Sequence, residues 1–427
     1  MPARAAPHPR RGARAERARR VPRSPSRAVR ISRPACLALR PNPDSPRDDV
    51  GVVVEALRKR EFPVTQECVY LDHATFGPLP ASHVRAATEM LSALANPDTS
   101  ELGGSQLLDS VRSEAATMLH CDPGHVTLLK STSEGLGLLA QGLEWRRGDE
   151  VIVHDRDFWG CLAPFAELAR VGVRIRLIRD AGRGRFDIDD LEALVTPRTR
   201  AVCVSVVNRA TGTRAPVEAI GALCAERGIW YALDAAQALG VNRIDAPGLG
   251  ADIVAAHGYK FLASGFGVAP TYCSERTLSE LRIPQVGWKN STFGITDTTM
   301  TLEHPTTAER YESTMPSLAT LAGMVESLSL LNSVEDAERE RLATELIRSI
   351  AEELRARGYD VVSSPEPAER SALVCVRHPA RAADELTRQL RSARVACGVA
   401  DDALRVSAHF YNTDDDVAAL LNALPGV

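Results

Sequence analysis

A chain of 427 residues has room for two or three domains at ~150 residues each, and with 44% hydrophobic and 25% charged residues its composition is that of an ordinary soluble globular protein. No run approaches 18 uncharged apolar residues, which excludes a membrane-spanning helix. The nine cysteines form no C-x-x-C pair, which excludes a zinc ribbon or disulfide scaffold and leads us to expect a cytoplasmic protein with reduced thiols and no metal. The net charge of −4 divides into +9 over residues 1–50 and −13 beyond them, so the folded part is acidic and no nucleic-acid partner is expected.

Residues 1–50 hold 13 arginines against four acidic residues, with no hydrophobic periodicity, and are expected to form a disordered tail. No apolar core of a secretory signal follows the basic run. Beyond the tail, short β-rich runs alternate with helical ones. The sequence predicts strand His125–Lys130, helix Thr132–Leu143, strand Glu150–His154, helix Trp159–Val171 and strand Arg174–Ile178. Helix Ile188–Val195, strand Arg200–Val207, helix Pro216–Arg227 and strands Ile229–Leu233, Asp252–Ala256 and Val268–Cys273 follow. This alternation predicts an α/β fold, a mostly parallel sheet sandwiched by helices. Near residue 300 the rhythm shifts to long helices, Ser317–Val334 and Ala337–Arg357, and then to a few strands. A large domain over 51–299 and a smaller α+β domain over 300–427 are therefore expected, with residues 51–70 able to lie against the small one.

Of 51 basic residues only four are lysine: Lys59, Lys130, Lys260 and Lys289. A lysine that survives such a bias points to chemistry that the permanently protonated arginine cannot supply. Asp234 ends an apolar strand, with Gln237 three residues on, and a second strand ends at His257-Gly-Tyr-Lys260. The carboxyl ends of strands are where open α/β sheets bind ligands. A carboxylate and an ammonium at two strand ends suit pyridoxal phosphate (PLP): a lysine forms its Schiff base, and a carboxylate keeps the pyridine nitrogen protonated. The plain alternative is a helix-capping Asp and a surface Lys. Lys130-Ser-Thr-Ser-Glu-Gly-Leu-Gly opens a helix after a strand, so Thr132, Ser133 and free backbone N–H groups form an anion site, one of these hydroxyls also acting as N-cap. A dinucleotide-binding reading rests on Gly135-Leu-Gly137-Leu-Leu-Ala140 and Asp155, but those glycines fall inside the helix, and Lys260 is left unexplained. A PLP-fold binding module without activity is the other alternative.

With Asp234-Ala-Ala-Gln237, the following Leu-Gly-Ala-Asp and Lys260, the chain resembles the class V aminotransferase family of fold-type I PLP enzymes, over about residues 68–424. That family includes cysteine desulfurases, kynureninase and isopenicillin-N-epimerase-like proteins. The resemblance implies that Lys260 carries PLP as an internal aldimine, that Asp234 pairs with the pyridine nitrogen and that Gln237 bonds the 3′-oxygen. It also implies phosphate contacts from Thr132, Ser133, His257 and Tyr259, and a ring stacked on the cofactor, Phe158 rather than Trp159. Asn208 or Arg209 is expected to face the cofactor oxygen or the substrate. Leu404-Arg405-Val-Ser-Ala-His-Phe-Tyr-Asn-Thr matches the signature whose arginine, Arg405, binds the substrate α-carboxylate. Tyr311-Glu-Ser-Thr-Met-Pro resembles the segment that gives a neighbouring subunit's phosphate a threonine, so Thr314 implies a homodimer with shared sites.

The implied reaction starts with an amino acid or amino-acid conjugate as external aldimine and continues with Cα deprotonation by Lys260. A lyase-type elimination of the C–S lyase kind is the leading expectation; epimerisation or transamination, and cysteine desulfuration or selenocysteine lysis, are the alternatives. A desulfurase needs a nucleophilic cysteine on a mobile loop, whereas Cys397 stands only eight positions before Arg405 in a β-like run.

Overall fold

The computed structural model describes residues 47–96, 103–295 and 299–427. The expected tail lies outside the described residues as far as 46, but its last four positions belong to helix α1 (Arg47–Glu61). Just beyond the expected tail, Val54 and Leu57 are buried one turn apart on that helix and give it an apolar stripe. Strand β1 (Val69–Tyr70) and helices α2 (Ala81–Leu94) and α3 (Gly104–Leu119) come next.

The alternating region runs β2 (Val126–Leu129), α4 (Thr132–Gly142), β3 (Glu150–His154), α5 (Trp159–Ala166), β4 (Arg174–Ile178), α6 (Ile188–Glu192), β5 (Thr199–Ser205), α7 (Val217–Arg227), β6 (Trp230–Asp234), β7 (Ile253–Ala255) and β8 (Ala269–Cys273). These strands form one seven-stranded sheet in the order β2-β8-β7-β6-β5-β3-β4. β8 runs antiparallel to both neighbours and the other pairings are parallel. Successive residues along a strand enter different cores. Val202 and Val204 of β5 and Tyr231 and Leu233 of β6 join α3 and α7 on one face; Ala201, Cys203, Trp230 and Ala232 join α4 and α5 on the other. Burial on both faces is what makes such strands read as continuous apolar runs. The helix expected over 159–171 is α-helical only to Ala166, with Pro164 inside it, and continues as a 3₁₀ helix over Glu167–Val171.

The chain continues through α8 (Glu275–Glu280), a hairpin of β9 (Thr292–Ile295) and β10 (Met300–Glu303), α9 (Leu318–Asn332) and α10 (Asp336–Ala356). Then come β11 (Asp360–Val361), β12 (Leu373–Arg377), α11 (Ala383–Ser392), β13 (Val395–Ala396), β14 (Gly398–Ala400), β15 (Ala403–Ser407) and α12 (Asp414–Ala423). A four-stranded antiparallel sheet has the order β11-β12-β15-β14, while β13 pairs with β1. No change of layer occurs at residue 300. Helix α9 packs on α2 and α3 and shares the core of the large sheet, whereas α10 lies on β11 and β12, so the switch falls between these two helices. Near the N-terminus, Arg58 forks onto Asp416 at 2.7 and 2.9 Å and ties α1 to α12.

Candidate active site

Nine of the expected side chains line one open pocket of about 550 Å³ at the carboxyl edge of the large sheet: Thr132, Ser133, Phe158, Arg209, Asp234, Gln237, His257, Tyr259 and Lys260. Strand register sets the floor, because Ser205, Asp234 and Ala255 are neighbours at the ends of β5, β6 and β7. The turn that follows β7 is clamped by close backbone approaches. A Cβ on Gly77 would lie 1.9 Å from the Lys260 carbonyl oxygen, and the Gly77 N–H donates to the Tyr259 carbonyl at 2.8 Å. Gly240, at φ +104°, lets the carbonyl of Phe261 approach from the other side.

Burial pushes the Lys260 ammonium down to about 8; Asp234 opposes this, while Arg405 and Arg209 add to it. Asp234 accepts from the Ala236 N–H at 2.8 Å, and burial raises its carboxyl above the usual range, against that bond and the charge of Lys260. Asp157 was not foreseen. Its carboxylate accepts from the Ser205 N–H at 3.0 Å, beside Asp234, and burial pushes it up to about 7. The acidic stretch His154-Asp-Arg-Asp at a strand end was the available signal.

The anion site is built at the start of α4. Its cap is Ser131, one residue earlier than expected: the Ser131 hydroxyl accepts from the Glu134 N–H at 3.2 Å, and Glu134 accepts from the Lys130 N–H at 2.7 Å. Ser133 therefore keeps its hydroxyl at the pocket, and Thr132 Oγ1 bonds His257 Nδ1 at 2.8 Å. His257 Nε2 and Gln237 Oε1 are buried without a partner. Burial, then Lys260, holds His257 near 3, so it is a neutral ring with one nitrogen awaiting a ligand. Orphaned polar atoms on the wall, a helix start and a pair of Lys260 and Asp234 fit PLP: phosphate at α4 and His257, pyridine nitrogen at Asp234. Tyr259 stacks on His257 with centroids 4.0 Å apart. Phe158 lines the pocket with its ring 6.0 Å from Lys260 Nζ, whereas Trp159 is 76% exposed and outside the pocket lining.

Three expected residues do not line the pocket. Asn208 braces its own loop, donating to the Arg156 carbonyl at 3.2 Å and accepting from the Ala210 N–H at 3.0 Å. Arg405, on β15, is bonded to Thr75 and lies 3.7 Å from Asp72. Thr314 is exposed, ahead of α9. Sequence reasoning missed Asp72, Thr75 and the Ala74 carbonyl, which accepts from Gln237 at 3.3 Å; Asp-His-Ala-Thr, one residue after β1, was the signal.

Fold and site define a PLP-dependent enzyme of fold type I. The family model described as aminotransferase class-V matches residues 69–420. A probable cysteine desulfurase of Methanothermobacter thermautotrophicus is 31% identical over 235 residues, 54% of this chain but only 58% of that relative. Another from Pseudomonas aeruginosa is 29% identical over 334 residues, 74% of this chain and 81% of the relative. Among solved structures, the apo cysteine desulfurase of Thermococcus onnurineus superposes with a TM-score of 0.79 at 21% identity, covering 86% of this chain and 96% of that one. The cystine C–S lyase C-DES, in complex with its product cysteine persulfide, gives a TM-score of 0.78 at 24% identity, covering 86% of this chain and 100% of that one. These structures support the fold. The chain belongs to the class V aminotransferase family.

Proposed function

We propose that the protein is a PLP-dependent C–S lyase that works in the reducing cytosol and eliminates a thiol from a cysteine-type amino acid or conjugate, giving pyruvate, ammonia and the free thiol with uptake of one water. The observation that carries this reading is a pocket that holds a depressed lysine beside Asp234 but, among the described residues, has no cysteine in its lining. Bound PLP draws electrons from the substrate's Cα–H bond. The neutral Lys260 amine accepts the Cα proton, and its depressed ammonium keeps a sizeable neutral fraction near pH 8. Asp234 would supply the negative charge that keeps the pyridine nitrogen protonated, His257 with the α4 N-terminus would hold the phosphate, and Arg405 would take the α-carboxylate.

The relatives' names bring the alternative of cysteine desulfuration. Cys397 is a poor nucleophile for it: it is 8% exposed, packs in the core of the small sheet, and burial raises its thiol far above the range of a reactive thiolate. Cys397→Ser is expected to keep at least about half of the activity, with no persulfide at this position in mass spectra of the wild type. A dead variant that still binds PLP would assign Cys397 the nucleophile's role and sink the elimination reading. Assay with S-substituted cysteines, following thiol and pyruvate, tests that reading directly.

The same proposal includes a homodimer with shared sites. It is supported by exposed Thr314 and by the β9–β10 hairpin, where Phe293, Ile295, Met300 and Leu302 are 58%, 70%, 71% and 46% exposed. Light scattering should give twice the chain mass of 46.1 kDa. A fully active monomer would refute the sharing of sites.

A further inference from the structure

Arg209 is placed by a rigid loop. After β5 the chain turns back at once: the Gly212 N–H donates to the Asn208 carbonyl at 2.7 Å, and the Asn208 side chain accepts from Ala210 at 3.0 Å. The Arg209 guanidinium consequently stands in the pocket wall, its Cζ 5.6 Å from the centre of the Phe158 ring, which also has Lys260 Nζ at 6.0 Å. From the small sheet, the β14–β15 turn presents Asp401, whose backbone is held at φ 53°. One oxygen of Asp401 takes Arg209 Nη2 at 3.1 Å and the other takes Arg156 Nη2 at 2.8 Å. Among the described residues this is Arg209's hydrogen-bond partner, and it engages only one of the three guanidinium nitrogens. Nε and Nη1 are left for a ligand.

Two guanidinia thus act on Lys260, Arg209 from the pocket lining and Arg405 from outside it, one more than an α-carboxylate needs. Arg405 approaches Lys260 from β15, its side chain 5% exposed and anchored by Thr75 and Asp72. Arg209 approaches from the large sheet, its side chain 32% exposed and oriented by Asp401. Both lie close enough to Lys260 to disfavour its charged form. One planar fork suffices for one carboxylate. A second fork, aimed by a carboxylate on a different sheet and held beside an aromatic ring, is suited to a second anion.

We infer that Arg209 binds a second anionic group of the substrate, so that the preferred substrates are amino acids whose sulfur substituent ends in a carboxylate or a comparable anion. The inference rests on the C–S lyase reading for the sulfur, but not for the binding itself.

The test uses the full-length holoenzyme, wild type and Arg209→Gln, titrated calorimetrically with S-carboxymethyl-L-cysteine and with its neutral isostere S-carbamoylmethyl-L-cysteine. Thiol and pyruvate release are measured separately. A charge-assisted fork predicts that the wild type prefers the anionic compound by at least about tenfold in Kd, and that this preference falls to about twofold or less in the variant. An equal weakening of both compounds would show that Arg209 serves the α-carboxylate or the loop, and would overturn the inference; so would an unchanged preference. If the preference and its loss appear while neither compound is cleaved, the elimination reading fails and the assignment of Arg209 stands. If both compounds are cleaved without preference, the reverse holds.

Discussion

Replacing Lys260 by alanine is expected to remove the visible absorbance of the bound cofactor and to lower turnover by at least about four orders of magnitude, because one amine both holds the cofactor and moves the substrate proton. No other lysine can substitute. Lys289 is bound to Glu312 at 2.7 Å, Lys59 pairs with Glu55 at 3.0 Å on α1, and exposed Lys130 is outside the pocket lining. Borohydride reduction followed by peptide mapping should place the pyridoxyl group on Lys260, and finding it on Lys130 or Lys289 would contradict the site. A readout independent of activity comes from pH. The folded-state ammonium titrates near 8 against 10.5 for the ordinary value, so between these pH values the unfolded chain binds more protons than the folded one. The stability of the cofactor-free protein therefore gains from Lys260 as pH rises through that window. The alanine variant should lack this gain when melting temperature is plotted against pH. Identical profiles for the two proteins would mean that Lys260 is not desolvated.

The strands of the large sheet were legible because both their faces are buried, which turns each into a short apolar run set between helices. Lys260 stood out for a compositional reason, its rarity among 47 arginines, and Asp234 for its place at a strand end. Contacts that join distant parts of the chain were not legible. Arg405 meets Thr75 across 330 positions, and Gln237 meets the Ala74 carbonyl across 163, so no local periodicity could announce either. The layer switch between α9 and α10 escaped for a related reason: both are long helices, and only their packing partners tell them apart. The helix over residues 47–50 was hidden by an arginine-rich approach that continues into its first turn.

Asp234→Asn separates catalysis from folding, since the two should change in opposite directions. The asparagine oxygen can still accept the Ala236 N–H, so the end of β6 keeps its backbone anchor. What is lost is the charge. A neutral amide cannot hold the pyridine nitrogen protonated, so turnover is expected to fall by at least about two orders of magnitude, about 3 kcal/mol in the barrier. Cofactor binding should weaken much less, because the phosphate contacts at α4 and His257 are untouched. For the cofactor-free protein the sign reverses. Burial raises the Asp234 carboxyl above 3.8, so the folded state holds that proton more tightly than the unfolded chain. The stability it contributes is present at low pH and is lost as pH rises through the raised value. At neutral pH that contribution is reduced or gone, a burden which asparagine lacks. The cofactor-free variant should accordingly melt at a temperature equal to or above that of the wild type at pH 7, and the advantage should vanish on acidification below about pH 4. Unchanged turnover would reduce Asp234 to a cap for the turn after β6. A variant that loses turnover and also melts well below the wild type at pH 7 would mean that the carboxylate is structural, with its loss of activity secondary to misfolding.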